Sequence, residues 1–433
     1  MSTPPDLTAP DTLRRALRLR GAVSLGVGGT IGGGIFVLVG QTAALAGPAA
    51  LLAFGLAFAA SLVIALPYAE LACRYPQAGG GYAFVRAVLG PRWGFVMGWV
   101  FWGAYVFVSG YVTLGFGGYL NALTGLPPIW GAVGLVLLCV VVNLRGVELS
   151  GRLQVLVIGL ALGGLIAFAM AGAPAVQAVR FTPWLPNGAT GLLRASLVAF
   201  LAYGGFDMVA AAGEEIERPE RNLPLAIFLT LAIVLGIYLL VAFSALGTLD
   251  WRVLGASPAP LSDAARHFLG PLGGRLMAAI AVMTTAATAN AVLVVTSRIS
   301  FAMARDGLLP RRLARVDGRT GAPRAAVMLS GIMLASMAMF GSLGTATTIG
   351  GFLYVMHFVP PLLVLLKLRQ TAGASPSFRM PYPRLLLPLA FGMTLVLLVA
   401  SGKAGMVGGM SWLVVGIVVA WVAGRCGRRG SAS

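Results

Sequence analysis

The stretch Gly26-Val27-Gly28-Gly29-Thr30-Ile31-Gly32-Gly33-Gly34-Ile35-Phe36 lies inside a hydrophobic segment that is long enough to cross a lipid bilayer. Six of its eleven residues are glycine, which is costly in the interior of an α-helix. Backbone groups that leave a helix at membrane depth must face protein, water or a bound solute, because lipid offers them no hydrogen bonds. The stretch therefore indicates either a discontinuous transmembrane helix whose break is a binding site, or a glycine-rich helix packed tightly against a neighbour.

The composition around this stretch is that of a polytopic membrane protein. Of the 433 residues, 58% are hydrophobic and 10% are charged, whereas soluble domains carry about 25% charged residues. The formal net charge of +18 comes from short basic clusters between apolar segments, a distribution typical of cytoplasmic loops rather than of a nucleic-acid surface. The sequence shows no metal-ligand spacing, nucleotide loop or enzymatic constellation. We therefore expect no cofactor, no enzymatic activity and no nucleic-acid partner.

At about 20 apolar residues per crossing, the chain predicts twelve transmembrane helices in an all-α fold. The segments lie near residues 21–45, 48–72, 93–121, 128–143, 153–173, 191–213, 223–248, 272–303, 325–341, 344–367, 385–401 and 405–424. With the N-terminus inside, most of the 31 lysine and arginine residues fall on the inner side. The positive-inside rule then places the N-terminal tail (1–20) and the C-terminal tail (425–433) in the cytoplasm.

The sixth segment repeats the interruption of the first. It places the Gly204-Gly205 pair and the ionisable Asp207 well inside an apolar run. Five crossings separate the two interruptions, so their helices would run in opposite directions. Such matching interruptions are typical of an inverted-repeat transporter with its substrate near the membrane midplane. The predicted division is a first five-helix repeat over 21–173, an inverted second repeat over 191–367, and two further helices over 385–424.

Two broken helices would place unpaired amide groups beside unpaired carbonyl groups. Together with the helix dipoles they form neighbouring sites for an anion and a cation, which match the carboxylate and ammonium of an α-amino acid. We expect the carboxylate on the amides of Gly32, Gly33 and Gly34, and the ammonium on carbonyls near Thr30, Leu201 and Gly204. The predicted substrate-binding residues are Thr30, Ile31, Gly32, Gly33, Gly34, Leu201, Ala202, Tyr203, Gly204 and Gly205.

The eighth segment carries a polar stripe in an otherwise apolar run. By their spacing, Thr284, Thr285 and Thr288 share one helix face. That face either hydrogen-bonds to another helix or lines an ion site beside the first break. The candidate ion or coupling site consists of Val27, Thr284, Thr285 and Thr288.

Several ionisable residues at or near the spans are candidates for structural or gating roles. Asp207 is expected to hold the geometry of the second break, with a ligand or proton role as the alternative. Glu70 is expected to pair with an arginine or with backbone amides. Glu214 and Glu215 lie at the cytoplasmic boundary, where an inner-gate network with arginines is predicted. The lone His357 is interpreted as either a packing residue or a proton relay.

The motifs resemble those of the amino acid–polyamine–organocation (APC) permeases, and most of all the cationic amino acid transporter branch with its bacterial relatives. The resemblance implies a LeuT-like fold with a five-plus-five inverted repeat and alternating access. It also implies that broken helices 1 and 6 hold the amino and carboxyl groups of the substrate. The residues that carry the resemblance are 26–37, 67–71, 75–82, 200–207 with 213–215, and 297–310.

Two features depart from the pattern of that family. Proton-coupled relatives carry a lysine in the fifth helix, but residues 156–170 contain none, and Leu160 or Ala161 stands near the expected place. Coupling through that lysine is therefore in doubt. Relatives often carry bulkier residues at the positions of Gly33 and Gly204, so we expect a pocket with room for a medium or large side chain.

The sequence thus predicts a secondary active transporter of L-amino acids in the inner (plasma) membrane. Its expected partners are the amino acid, a coupling ion (proton or sodium) and membrane lipid, with the oligomeric state left open. Three alternatives are a carrier of polyamines or other organic amines, an amino acid exchanger, and a membrane amino acid sensor that does not transport.

Overall fold

The computed structural model is helical throughout the part of the chain that it describes, residues 17–75, 80–146, 151–211, 216–370 and 378–429. These residues form no strand, although a parallel bridge joins Leu17 to Ile216. The helices in chain order are α1 (Leu19–Thr30), α2 (Gly33–Ala46), α3 (Ala50–Arg74), α4 (Gly80–Leu89), α5 (Pro91–Thr124), α6 (Pro128–Leu144), α7 (Gly151–Gly172), α8 (Gly188–Ala202), α9 (Phe206–Ala211), α10 (Pro219–Thr248), α11 (Trp251–Ala256), α12 (Pro260–Arg305), α13 (Arg324–Phe340), α14 (Leu343–Met356), α15 (Val359–Gln370), α16 (Pro383–Ala400) and α17 (Gly402–Arg429).

Within the described residues, eight helical segments are long and apolar enough to cross a membrane. Three shorter apolar helices, α6, α8 and α13, accompany them. The chain is therefore a polytopic membrane protein, as its composition predicted, while the count of twelve crossings stays a prediction. The eight segments are Gly33–Arg74, Pro91–Thr124, Leu153–Ala175, Pro219–Thr248, Pro260–Arg305, Leu343–Gln370, Pro383–Ala400 and Gly402–Trp421.

Both glycine-rich segments are interrupted helices. Residues 31–32 separate α1 from α2, and residues 203–205 separate α8 from α9. Tight packing also occurs, one turn before the first break. A Cβ on Gly26 would lie only 2.3 Å from the Thr230 hydroxyl oxygen of α10. The two interpretations of the glycine stretch thus apply to different residues within it.

A pair of tryptophans joins α17, the last helix, to the long and mostly buried α5. The rings of Trp99 and Trp412 stack with centroids 5.0 Å apart. Each indole N–H donates to the backbone carbonyl of the other residue, at 2.8 Å and 3.1 Å. A Cβ on Gly103 would lie 2.1 Å from the Trp412 ring. We call this reciprocal pair the Trp99–Trp412 clasp.

Two short helices lie between the predicted spans. Helix α11 lies in the gap between residues 249 and 271. Helix α4 was missed, because its first two residues are glycines and only a 10-residue segment is helical. The Tyr82 hydroxyl of α4 donates to the Asp306 carboxylate at 2.6 Å, and Arg86 forms an ion pair with the same carboxylate. These contacts attach α4 to the end of α12.

Candidate functional site

The two breaks meet backbone to backbone. Gly205 has φ +119°, a conformation that favours glycine, and a Cβ on it would lie 2.6 Å from the Gly29 carbonyl oxygen. A Cβ on Gly34 would lie 3.3 Å from the Cα of Ala202. Glycine is therefore required where the broken helices approach each other, and it leaves their peptide groups facing a common space.

A tyrosine of α10 joins the ends of the two half-helices. The buried Tyr238 hydroxyl lies 2.8 Å from the Ala202 carbonyl oxygen and 3.1 Å from the Thr30 carbonyl oxygen, so the two carbonyls share its single proton. Sequence reasoning missed this residue. The available signal was a hydroxyl in the middle of an apolar span, which needs a hydrogen-bond partner when it is buried.

A cavity of about 70 Å³ lies where the breaks meet. Seven of the ten predicted substrate-binding residues line it; Ile31, Gly33 and Tyr203 do not. The buried Thr30 hydroxyl at this cavity has no hydrogen-bond partner in the described chain. The lining consists of Gly29, Thr30, Gly32, Gly34, Tyr105, Val108, Tyr111, Leu201, Ala202, Gly204, Gly205, Thr288, Ala291, Val292, Val295 and Tyr354.

The amides of the first break are partly used within the protein. The Gly32 amide donates to the Thr30 carbonyl at 2.9 Å, and the Gly33 amide donates to the Thr288 hydroxyl oxygen at 2.9 Å. In an α-helix the first-turn amides have no intrahelical partner. The Gly34 and Ile35 amides are therefore the remaining first-turn donors of α2, so an anion at this helix end would meet them in preference to Gly33.

The threonine stripe divides between two places. Thr285 packs against Gly33, and its hydroxyl donates to the Ala281 carbonyl at 2.6 Å. Thr284 and Thr288 instead line a second, larger cavity. Val27 is buried, and its carbonyl accepts the Ile31 amide at 2.7 Å. The candidate ion residues thus surround the first break without converging on one cavity.

The second cavity, about 570 Å³, lies on the other side of the first break. It extends between α1, α7 and α12 to the loop that contains Thr320. Residues of both cavities form the wall between them: Gly29, Gly32, Thr288, Ala291 and Val295. Near the expected lysine of α7, Ala161 is fully buried whereas Leu160 is 45% exposed.

The prediction of a roomy pocket is wrong at both positions that suggested it. A Cβ on Gly33 would point to Thr285, 2.9 Å from its Cγ2, rather than into the central cavity. A Cβ on Gly204 would lie 3.0 Å from the Tyr354 hydroxyl oxygen. Neighbouring helices therefore fill the space that the two glycines leave.

The acidic residues hold backbone and arginine partners. Asp207 is 4% exposed and accepts the Gly205 amide at 3.1 Å, a bond that stabilises the second break. Glu70 is 1% exposed and accepts from Arg369 at 2.5 Å and from the Met380 amide at 2.8 Å. This arrangement favours a structural role for Glu70. The predicted gate residues Glu214 and Glu215 lie outside the described residues.

Near the inner boundary predicted for these acids, residues 17 and 18 contact Glu217. The Glu217 amide donates to the Leu17 carbonyl at 2.9 Å. Arg18 lies 3.7 Å from the Glu217 carboxylate. These contacts attach the segment before α1 to the segment after α9.

His357 packs in an aromatic cluster beside the second break. Its ring centroid lies 3.8 Å from that of Phe358 and 4.8 Å from that of Tyr354. Nδ1 is hydrogen-bonded to the Tyr354 carbonyl, and the buried Nε2 has no partner among the described residues. The imidazole does not line the central cavity, which favours the packing interpretation.

The sequence matches a known protein family over almost the whole chain. The family model described as amino acid permease matches residues 17–424. The chain belongs to the amino acid permease family. The resemblance to APC permeases is thereby confirmed.

Three relatives of this permease are named for different substrates. Cationic amino acid transporter 4 of Homo sapiens is 31% identical over 86% of this chain, which spans 62% of the length of that protein. The methylthioribose transporter of Bacillus subtilis is 29% identical over 94% of this chain and 93% of the length of that transporter. The branched-chain amino acid permease BcaP of Bacillus subtilis is 28% identical over 94% of this chain and 92% of its own.

Proposed function

We propose that this permease is a secondary active transporter that moves L-amino acids across the inner membrane by alternating access. The observation that carries the proposal is the meeting of two broken helices around a small cavity with backbone groups in its wall. Broken helices at membrane depth are tolerated where they line a site for a polar solute. The names of two relatives, a cationic amino acid transporter and a branched-chain amino acid permease, support the same substrate class.

The proposed binding mode uses opposite helix ends for the two charges of the zwitterion. The carboxylate binds at the start of α2, where the Gly34 and Ile35 amides and the positive end of the helix dipole meet. The ammonium binds the carbonyls that end α1 and α8, those of Thr30 and Ala202. Thr30 also offers its unpaired hydroxyl. Gly33, a predicted carboxylate donor, supports this site through Thr288.

The proposed architecture has twelve crossings, a five-plus-five inverted repeat and both termini in the cytoplasm. The positions of the breaks support it, because α1–α2 opens the first proposed repeat and α8–α9 opens the second. Two helices, α16 and α17, follow the repeats.

The coupling ion is a proton or sodium, or the carrier exchanges amino acids without one. The absence of lysine from residues 156–170 argues against coupling through a lysine of α7. Sodium would find hydroxyl and carbonyl oxygens of Thr284, Thr288 and Val27 around the first break, and oxygen is the ligand type that hard cations prefer.

The function is tested by counterflow of radiolabelled amino acids into liposomes that contain the full chain. We expect unlabelled amino acid inside the liposomes to drive accumulation of the label. We also expect a sodium gradient or a pH gradient to change that accumulation. Binding without any counterflow would favour a sensor. A response to polyamines, but to no amino acid, would favour the organic-amine carrier.

A sugar carrier is the second candidate, because the methylthioribose transporter matches 94% of this chain. Methylthioribose has neither a carboxylate nor an ammonium group, so it would leave the charged helix ends without partners. Competition by amino acid methyl esters and by methylthioribose separates the two functions. An amino acid carrier loses affinity for the ester and ignores the sugar.

A further inference from the structure

No charged side chain lines the central cavity among the residues that the structure describes. None of its sixteen lining residues is Asp, Glu, Lys, Arg or His. Asp207, which belongs to the second break, does not line the cavity; its carboxylate accepts the Gly205 amide and lies close enough to act electrostatically on the lining residues Tyr105 and Tyr354. A lysine or arginine side chain would therefore find no counter-charge in direct contact, and burying a charge without such a contact is unfavourable. The lining thus favours uncharged side chains.

The cavity is also small. Its volume of about 70 Å³ is several times the roughly 10–15 Å³ that one water needs and well below the roughly 300–1,000 Å³ of sites for drug-sized ligands. A cavity of this size suits a small amino acid better than a large one.

Tyr354 determines how far a substrate side chain can extend toward α14. Its hydroxyl oxygen lies 3.0 Å from the position of a Cβ on Gly204, so it fills the space beside the second break. The ring is held between Phe200 and Phe358, with centroids at 5.9 Å and 5.6 Å. Tyr354 lines the central cavity beside Gly205, where its hydroxyl can bind a polar group of the substrate.

From these three observations we propose that the permease selects small neutral amino acids, of the size of glycine, alanine and serine, and that Tyr354 sets the upper limit of side-chain size. The proposal rests on the transport function proposed above and names the substrate class of the same site.

The substrate class is tested by competition against labelled alanine in liposomes containing the full chain. Alanine and serine should reach half-inhibition at concentrations at least about tenfold lower than leucine or lysine, which corresponds to about 1.4 kcal/mol or more. Leucine or lysine competing as well as alanine would overturn the size and charge selection while leaving amino acid transport intact. A lack of counterflow with every amino acid would instead refute the transport function itself.

The role of Tyr354 is tested with Tyr354→Ala, by the ratio of the half-inhibition concentrations of leucine and alanine. The ratio does not depend on the amount of folded protein. We expect it to fall at least fivefold, since removing the ring opens space beside Gly204. Phe352→Ala is the matched control, because Phe352 lies on the same helix but faces Gly409 of α17.

Tyr354→Phe covers the case in which the alanine variant does not fold. It keeps the ring and removes only the hydroxyl, so the ratio should shift in the same direction by a smaller factor. An unchanged ratio in Tyr354→Phe, or an equal shift in Phe352→Ala, would overturn the assignment to Tyr354.

Discussion

Single side chains stabilise the two breaks, and two of these side chains come from distant parts of the sequence. Tyr238 reaches the carbonyl ends of both half-helices, Thr288 accepts the Gly33 amide, and Asp207 accepts the Gly205 amide. Each bond satisfies a backbone group that a continuous helix would have paired internally. The breaks are thus stabilised from α10, α12 and α9 as well as by their own glycines.

Tyr238→Phe should loosen both breaks at once. The change removes a buried hydroxyl from two carbonyls, and a buried acceptor left without its donor costs about 1–3 kcal/mol. We expect a lower thermal midpoint of the purified protein and weaker amino acid binding, measured by thermal shift with and without alanine. Tyr382→Phe, at a residue that is 79% exposed, should change neither quantity. Equal behaviour of the two variants would contradict a joining role for Tyr238.

The glycine positions at the breaks were predictable from the sequence, whereas the tyrosines that surround them were not. Six glycines in eleven residues have a known cost in a helix, so their presence at membrane depth called for an explanation. An isolated tyrosine in an apolar span has the same pattern whether it faces a membrane interface, a neighbouring helix or a cavity. Tyr105, Tyr111, Tyr238 and Tyr354 therefore could not be assigned to the site from the sequence alone.

At the level of elements, the site depends on how closely the paired half-helices approach. The sequence located both interruptions to within a few residues, because glycine pairs mark them. It did not predict that Gly33 and Gly204 face neighbouring side chains, since direction into or out of a pocket depends on helix rotation. The expectation of a roomy pocket was wrong because the sequence does not give the rotation of each helix about its axis.

Gly205→Ala should separate the two broken helices. The Cβ would lie 2.6 Å from the Gly29 carbonyl carbon and oxygen, and φ +119° is unfavourable for alanine. We expect loss of amino acid binding and counterflow in liposomes.

Gly236→Ala in α10 is the matched control for this substitution. A Cβ at Gly236 meets nothing within 4 Å, and alanine is favoured over glycine inside a helix by about 0.5–1 kcal/mol. Counterflow should therefore persist in this variant. Normal binding by Gly205→Ala would mean that the breaks do not have to touch.

The loop between α12 and α13 should be sensitive to acid. The Thr320 amide and hydroxyl, and then the Arg319 amide and Arg324, hold the pKa of Asp317 below its usual value. Because the folded pKa is the lower one, the stabilisation is present above the unfolded value of about 4 and is lost as the pH falls through the folded pKa. Pepsin cleavage in this loop should therefore rise below about pH 4.

Asp317→Asn should loosen this loop at neutral pH, because the amide carries no negative charge. The measurement is faster tryptic cleavage after Arg319. Asp250→Asn serves as the control, because Asp250 accepts the Arg252 amide in a different loop. Equal cleavage rates for Asp317→Asn and the wild type would show that Asp317 does not order the loop.

At the scale of the whole molecule, the family and the helical membrane architecture follow from the sequence, because several long motifs occur in the right order. The number of crossings does not follow as directly. The helices α6, α8 and α13 have 17, 15 and 17 residues, fewer than the 20 or so that a crossing usually needs. The short α8 continues across the second break into α9, whereas α6 and α13 lie at the lower limit of length for a spanning helix.

Reporter fusions test the predicted topology. Green fluorescent protein fused after Ser433 should fluoresce, because twelve crossings return the C-terminus to the cytoplasm. Alkaline phosphatase fused after Trp251 should be active, since that loop is predicted to lie outside. A C-terminal fusion that does not fluoresce would require an odd number of crossings, or an N-terminus that lies outside.

The Trp99–Trp412 clasp has a mechanical consequence for any change of conformation. Its two hydrogen bonds run in opposite senses between the same pair of residues, so they form a closed ring that fixes the register of α17 against α5. Sliding either helix along its axis breaks both bonds together, and the stacked rings permit little rocking. We therefore expect α5 and α17 to move together in any change of conformation.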